Sequence, residues 1–176
     1  VLNSEESEDR VRSRMYMLMG RANTALGKFE EAKAEFANAI FFMSKFQGAE
    51  AVSTSMGYFR LGDVYLAQGS LENALAFFDK VVDIWYKFLA SVRNDAELAD
   101  TLTESQLQEG MDMLNFILQT RAKLLGQPHI ATGEAKYTLG LLYLFMENKP
   151  AAHECISAAC DIYTKHLGPE HPSTRD

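Results

Sequence analysis

Residues 58–82 read YFRLGDVYLAQGSLENALAFFDKVV, and the spacing inside this stretch decides the fold. Gly62 is followed twelve residues later by Ala74, four further on by Phe78, and three beyond that by Val81. Gly69 breaks the run, so the stretch predicts a helix, a turn and a second helix. A small residue where two antiparallel helices cross lets their backbones approach, and a bulky residue one turn on fills the next layer. Alanine, leucine, glutamate and methionine are plentiful, as helices prefer.

The same spacing is written twice more, in YMLMGRANTALGKFEEAKAEFANAI (16–40) and KYTLGLLYLFMENKPAAHECISAAC (136–160). Gly20 and Gly140 take the place of Gly62, Ala32 and Ala152 that of Ala74, and Phe36 and Ile156 that of Phe78. Ala39 and Ala159 follow in phase with Val81, and Tyr65 and Tyr143 fill an aromatic slot where the first segment has Asn23. The pattern resembles the tetratricopeptide repeat (TPR), with its Leu-Gly-x-x-Tyr helix, turn and Ala-x-x-x-Phe helix. That resemblance implies an all-α fold: a solenoid of about four antiparallel helix pairs, wound as a right-handed superhelix, with no catalytic or cofactor role.

Between the segments a second phrase recurs, as QGAEAVST (47–54), GQPHIAT (126–132) and GPEHPST (168–174). Gly48 and Gly126 each stand fourteen residues before the next crossing glycine, so the phrase is a link between units. Gly stops one helix; Pro, Ser or Thr suits the start of the next. His129 and His171 therefore read as punctuation. As a metal pair they would come from separate links, without a carboxylate or thiol in phase.

The first two crossing glycines are 42 residues apart, and the 78 between Gly62 and Gly140 leave room for one degenerate unit. Its second helix is expected in ESQLQEGMDMLNFILQTRAKLL (104–125), with Gly110 in the small slot and Leu114 in the bulky one; its first, near NDAELADTL (94–102), reads as short and polar. Expected repeats are 10–47, 50–91, 93–126 and 129–167 of a single array, with 168–176 opening a fifth. The chain starts without Met and stops at a repeat boundary, which reads as a fragment of a longer protein.

The remaining bounds are mostly exclusions. A length of 176 residues suits one domain or one array of small units, and 47% apolar residues is too many for a disordered chain. Nothing approaches the ~18 apolar residues of a membrane span, and VLNSEESEDRVR (1–12) is no signal peptide. A net charge of −7 argues against a nucleic-acid partner. Cys155 and Cys160, five apart on a helix, point about 140° away from each other and read as small core residues of a cytoplasmic, reducing environment. MLMGRANTALGK (17–28) has the wrong spacing for a phosphate loop, and His153 and His166 lack a phased acid or nucleophile. No metal, cofactor or enzymatic activity is expected.

The expected activity is binding a protein partner, through the concave face that repeat stacks build from first helices. The resemblance to TPRs implies partner-facing slots two residues before the crossing glycine, one after it, and four and five after it. In the first unit these are Met17, Arg21, Thr24 and Ala25; in the second Phe59, Asp63, Leu66 and Ala67; in the fourth Tyr137, Leu141, Leu144 and Phe145. Lys and Asn, which clamp a chaperone's C-terminal carboxylates, are missing there, and an apolar, aromatic groove suits a partner helix. Phe59 and Tyr137 are the expected anchors, whose loss should weaken binding and spare the fold.

Residues 54–89 carry further marks: Thr54-Ser55, Gly57-Tyr58-Phe59, Lys80-Val81, Ile84-Trp85 and Leu89. They resemble the repeat region of the MYND-zinc-finger axonemal proteins, which implies a scaffold in cilia and flagella, associated with inner dynein arms and another TPR protein. No MYND finger fits in a chain with two cysteines. Two alternatives stand beside it. One is a kinesin-light-chain-like cargo adaptor, whose basic groove here has Arg14 and Arg21 alone; the other is a TPR-like accessory domain of a MYND-type methyltransferase.

Overall fold

In the computed structural model, residues 4–93, 98 and 101–175 are described, and the regular structure among them is helical throughout. The helices are α1 (Ser4–Ala25), α2 (Phe29–Gln47), α3 (Val52–Ala67), α4 (Leu71–Val92), α5 (Glu104–Leu124), α6 (Ile130–Phe145), α7 (Lys149–Leu167) and a short α8 (Pro172–Arg175). They fall into two compact units, Val1–Ile84 and Trp85–Asp176. The polar first helix expected near 94–102 lies largely outside the described residues.

In the first unit α1 and α2 run antiparallel: Gly20 faces Phe36, Tyr16 stacks on Phe42 at 5.6 Å, and Lys45 reaches back to Asp9 at 2.6 Å. A Cβ on Gly20 would come within 2.6 Å of the Phe36 ring, so the glycine is the space the ring occupies. Gly62 and Phe78 repeat that fit between α3 and α4, also at 2.6 Å. Ala32, Phe36, Leu61 and Val64 form the buried centre, with Met17, Phe29, Ile40, Tyr65 and Phe77 packed around it. Tyr65, in the aromatic slot, stacks on Phe77 at 5.5 Å. α3 lies on α2 through Gly57, where an added Cβ would meet Ile40 Cγ1 at 2.5 Å.

In the second unit α6 and α7 pair the same way, Gly140 against Ile156 and Gly133 against Ile162 and Tyr163. Gly110 of α5 lies under the Trp85 ring, which is completely enclosed, and Leu114 one turn on is buried as its slot requires. The cysteines are free and half-buried rather than core; Cys160 Sγ lies 3.8 Å from the Thr174 carbonyl.

The turn within each pair is built three times on one plan. Lys28 N–H donates to the Asn23 carbonyl (2.8 Å) and Gly27 N–H to Thr24 (3.0 Å); Ser70 and Gly69 donate likewise to Tyr65 and Leu66, and Asn148 and Glu147 to Tyr143 and Leu144. This crossed pair of bonds is the Schellman ending of a helix, and its pivotal residue sits in the left-handed region. Gly27 and Gly69 hold φ of 71° and 75°; Glu147 holds 61° without glycine's freedom.

The links are equally uniform. Thr54, Thr132 and Thr174 each donate their hydroxyl to the carbonyl six residues back, of Gly48, Gly126 and Gly168, at 2.9 Å in every case. His129 caps α6, its Nδ1 accepting from Ala131 N–H at 3.1 Å, and His171 accepts from Ser173 N–H at 3.2 Å. Both histidines serve the backbone of the link.

Candidate functional site

The crossing glycine draws α1 and α3 close to their partners and fixes which residues their open sides present. In the first unit those sides meet at a cavity of about 200 Å³, lined by Arg21, Thr24 and Ala25 from α1, Arg60 and Asp63 from α3, and the edge of Phe36 beneath. The Thr24 hydroxyl is turned back onto the Gly20 carbonyl at 2.8 Å, so it is already engaged within its own helix. The Arg60 guanidinium stands 5.6 Å from the Phe59 ring centroid. Asp63 is half-buried; burial pushes its carboxyl above the ordinary aspartate value, and the Arg60 charge opposes that shift. The Arg60 charge thus offsets part of the cost of burying Asp63. Arg21 is exposed and forms no ion pair among the described residues, which leaves the cavity with positive character.

Four of the expected slots meet here: Arg21, Thr24, Ala25 and Asp63. Three others face the wrong way. Met17, Phe59 and Tyr137 stand three residues before their glycines, and on a helix one residue is about 100° of rotation. Met17 packs against the buried centre, and Phe59 is 8% exposed with its ring 5.9 Å from that of Phe78. Tyr137 is half-buried between Tyr86 and Tyr163, at 6.2 and 6.4 Å. Phe59 is a core residue, and truncating it opens a cavity that costs about 3–5 kcal/mol. Leu141 is buried as well, whereas Leu66 is half-buried and Leu144 is 49% exposed. The residue sequence reasoning missed is Arg60, two positions before Gly62; a count of two rather than three finds it.

The second unit carries a different arrangement. The residue equivalent to Arg60 is Thr138, fully buried, and that equivalent to Asp63 is Leu141. Arg121 of α5 is buried and donates from Nη1 to the Ala131 carbonyl at 2.7 Å, which pins the first turn of α6 to α5. Burial, and next the nearby Glu134 charge, push the Tyr163 phenol well above its ordinary value, so it stays protonated and packs as a ring. His166 Nε2 donates to the Pro128 carbonyl at 2.7 Å. Among the described residues no group of three His, Cys, Asp or Glu side chains is placed to hold a metal ion. Nor, among the described residues, is any helix long and apolar enough to cross a membrane.

A family model described as tetratricopeptide repeat matches residues 11–87, and a second with the same description matches 132–173. Among solved structures, the nearly identical TPR-like repeats of a putative kinesin light chain from Podosopora anserina are 23% identical. They cover 94% of this chain and 80% of their own, with a TM-score of 0.38. A point variant of those repeats gives 23%, 95%, 80% and 0.38. BtubC (BKLC) from P. vanneervenii is 16% identical, over 91% of this chain and 66% of its own, with a TM-score of 0.40.

Proposed function

On the premise that this chain belongs to the tetratricopeptide-repeat family, we propose that it is a protein–protein interaction scaffold whose first unit seizes an acidic side chain of its partner. The observation that carries this reading is the α1/α3 cavity, where Arg21 has no ion pair among the described residues and the Arg60 charge acts on a carboxylate that burial already disfavours. A partner carboxylate entering the cavity supplies Arg21 with the counter-charge it lacks among the described residues, with Arg60 beside it. Arg presents a planar fork of donors that matches a carboxylate in two bonds. Thr24, Ala25 and the Phe36 edge offer the apolar wall for the stem of that side chain.

The test is a library of immobilised peptides read against the wild-type chain and Arg60→Met. Wild type should prefer peptides with Asp or Glu over their amide counterparts, and Arg60→Met should lose that preference by tenfold or more. Equal retention of acid and amide peptides would remove the cavity from the binding surface. A cargo adaptor of kinesin-light-chain type gains from Arg60, which adds a third arginine, on a second helix; preference for a Trp flanked by acids would favour it. The axonemal reading rests on the likeness of residues 54–89, and a tagged protein that resists detergent extraction in a flagellated cell would support it.

A further inference from the structure

The α1/α3 cavity holds an acid of its own. Asp63 stands one residue after Gly62, as Arg21 stands one residue after Gly20, so the two occupy the same register position on α3 and α1. Both line the cavity, yet neither makes an ion pair among the described residues. Arg60 and Asp63, three residues apart, share one face of α3. A carboxylate that comes for the arginines therefore arrives beside a carboxylate already there.

What that arrival changes at Asp63 can be followed group by group. Arg60 of α3 and Arg21 of α1 are present before binding as after it, so binding brings no new cation from this chain. Thr24 and Ala25 of α1 and Phe36 of α2 carry no charge into the cavity. On α2, Glu30 and Lys33 pair with each other at 2.7 Å, and Glu30 accepts a further bond from Gln68 Nε2 at 3.1 Å. No residue of α4 is among the described residues that line the cavity. The partner adds one negative charge within about 200 Å³ and displaces water from a carboxyl that is half-buried already. Both changes disfavour an ionised Asp63, and two carboxylates that share one site titrate as a pair.

We propose that Asp63 makes partner binding proton-linked: the acidic side chain enters the cavity together with a proton shared between its carboxyl and that of Asp63, and the complex tightens as pH falls. The proposal rests on the reading of this cavity as an acid-binding site and adds its regulation. Linkage fixes the sign, since a partner that raises the affinity for a proton is itself bound more tightly when protons are plentiful. Burial supports the range, because it holds the free carboxyl above the ordinary aspartate value before any partner arrives. Between about pH 7.5 and 5.5 an isolated glutamate, with its ordinary value of about 4.3, stays charged. Histidine is the side chain that ordinarily titrates in that range. The four histidines, at 129, 153, 166 and 171, all belong to the second unit.

The test takes the full chain and the tightest-bound Glu peptide of the immobilised library, made without histidine and with blocked ends, beside its Gln counterpart. By titration calorimetry the Glu peptide should bind at least fivefold tighter at pH 5.5 than at pH 7.5, and the Gln peptide should change less than twofold. Asp63→Asn removes the second carboxylate and keeps its shape. At pH 7.5 it should bind the Glu peptide at least fivefold tighter than wild type does, with the pH dependence gone. In aspartate-labelled protein, the Asp63 carboxyl carbon should titrate at higher pH in the complex than alone. A Glu preference equal at both pH values, or a pH dependence that survives in Asp63→Asn, would overturn the proton link and leave the acid site standing. No preference for Glu over Gln at either pH, from either chain, would overturn the acid site and the link together.

Discussion

Replacing Glu147 by glycine should stabilise the protein, although it removes a side chain and adds none. Glu147 is the pivot of the turn between α6 and α7, at φ 61°, where the two sister turns place Gly27 and Gly69. A left-handed residue with a Cβ costs about 1–2 kcal/mol. Glycine gives back about 0.5–1 kcal/mol of that through the larger freedom of its unfolded chain. The balance is a gain of about 0.5–1 kcal/mol, or a rise in Tm of about 1–4 °C for a chain of this size. A Cβ at Gly27 or Gly69 meets nothing within 4 Å, so the position carries backbone strain without steric contact, and Gly69→Ala should lose about as much as Glu147→Gly gains. Charge is a rival explanation, because a carboxylate just past a helix C-terminus is unfavourable by about 0.3–1 kcal/mol. Glu147→Gln separates the two, since it removes the charge and keeps the strain. Urea unfolding followed at 222 nm, with hydrogen exchange of the α6 and α7 amides, measures both variants. A Gln variant as stable as the Gly variant would refute the backbone account, and so would a Gly variant no more stable than wild type.

Three further outcomes follow from packing and charge. Gly62→Ala gains about 1 kcal/mol of helix propensity, yet its Cβ would stand 2.6 Å from Phe78 Cε1 and 3.3 Å from the Ala74 carbonyl oxygen. Overpacking should win, with a net loss of about 1–2 kcal/mol in denaturant titration. Thr132→Val keeps the shape of a fully buried side chain but leaves the Gly126 carbonyl without its 2.9 Å donor, and should cost about 1–2 kcal/mol, seen as faster exchange in the first turn of α6. Asp63→Asn concerns a carboxyl whose folded pKa is raised, so the folded state binds its proton more tightly than the unfolded one and stability falls as pH rises above 3.8. The Asn variant should therefore have the higher Tm at pH 7, with the difference vanishing below pH 3.8.

The helix pairs were legible because their signal is redundant. Gly20, Gly62 and Gly140 each predict a ring or branched side chain sixteen residues on, and Phe36, Phe78 and Ile156 each supply it. A threefold repeat of one steric fit survives the loss of any single position. The open face had no such redundancy. Which side of α3 looks outward depends on one residue of phase, and Phe59 and Arg60 are equally at home in a helix by composition. Arg60 lines the cavity because Gly62 sets the rotation of α3 against α4, and that rotation is fixed by contacts from outside the helix. Arg121 was hidden for a related reason: its role needs the Ala131 carbonyl, ten residues on and across a link, to arrive beside it.

The link glycine and its threonine have a consequence for how such a chain can be edited. In each link the threonine hydroxyl closes on the glycine carbonyl six residues back, Thr54 on Gly48, Thr132 on Gly126 and Thr174 on Gly168, at 2.9 Å each time. A splice made inside one link and completed inside another restores a whole junction on both sides of the cut. A block of 42 residues from Gly126 to Leu167 can therefore be duplicated in tandem, the second copy entering at Gly168, without inventing a new turn. The length of the array is a free variable that gene duplication or a designer can change one block at a time.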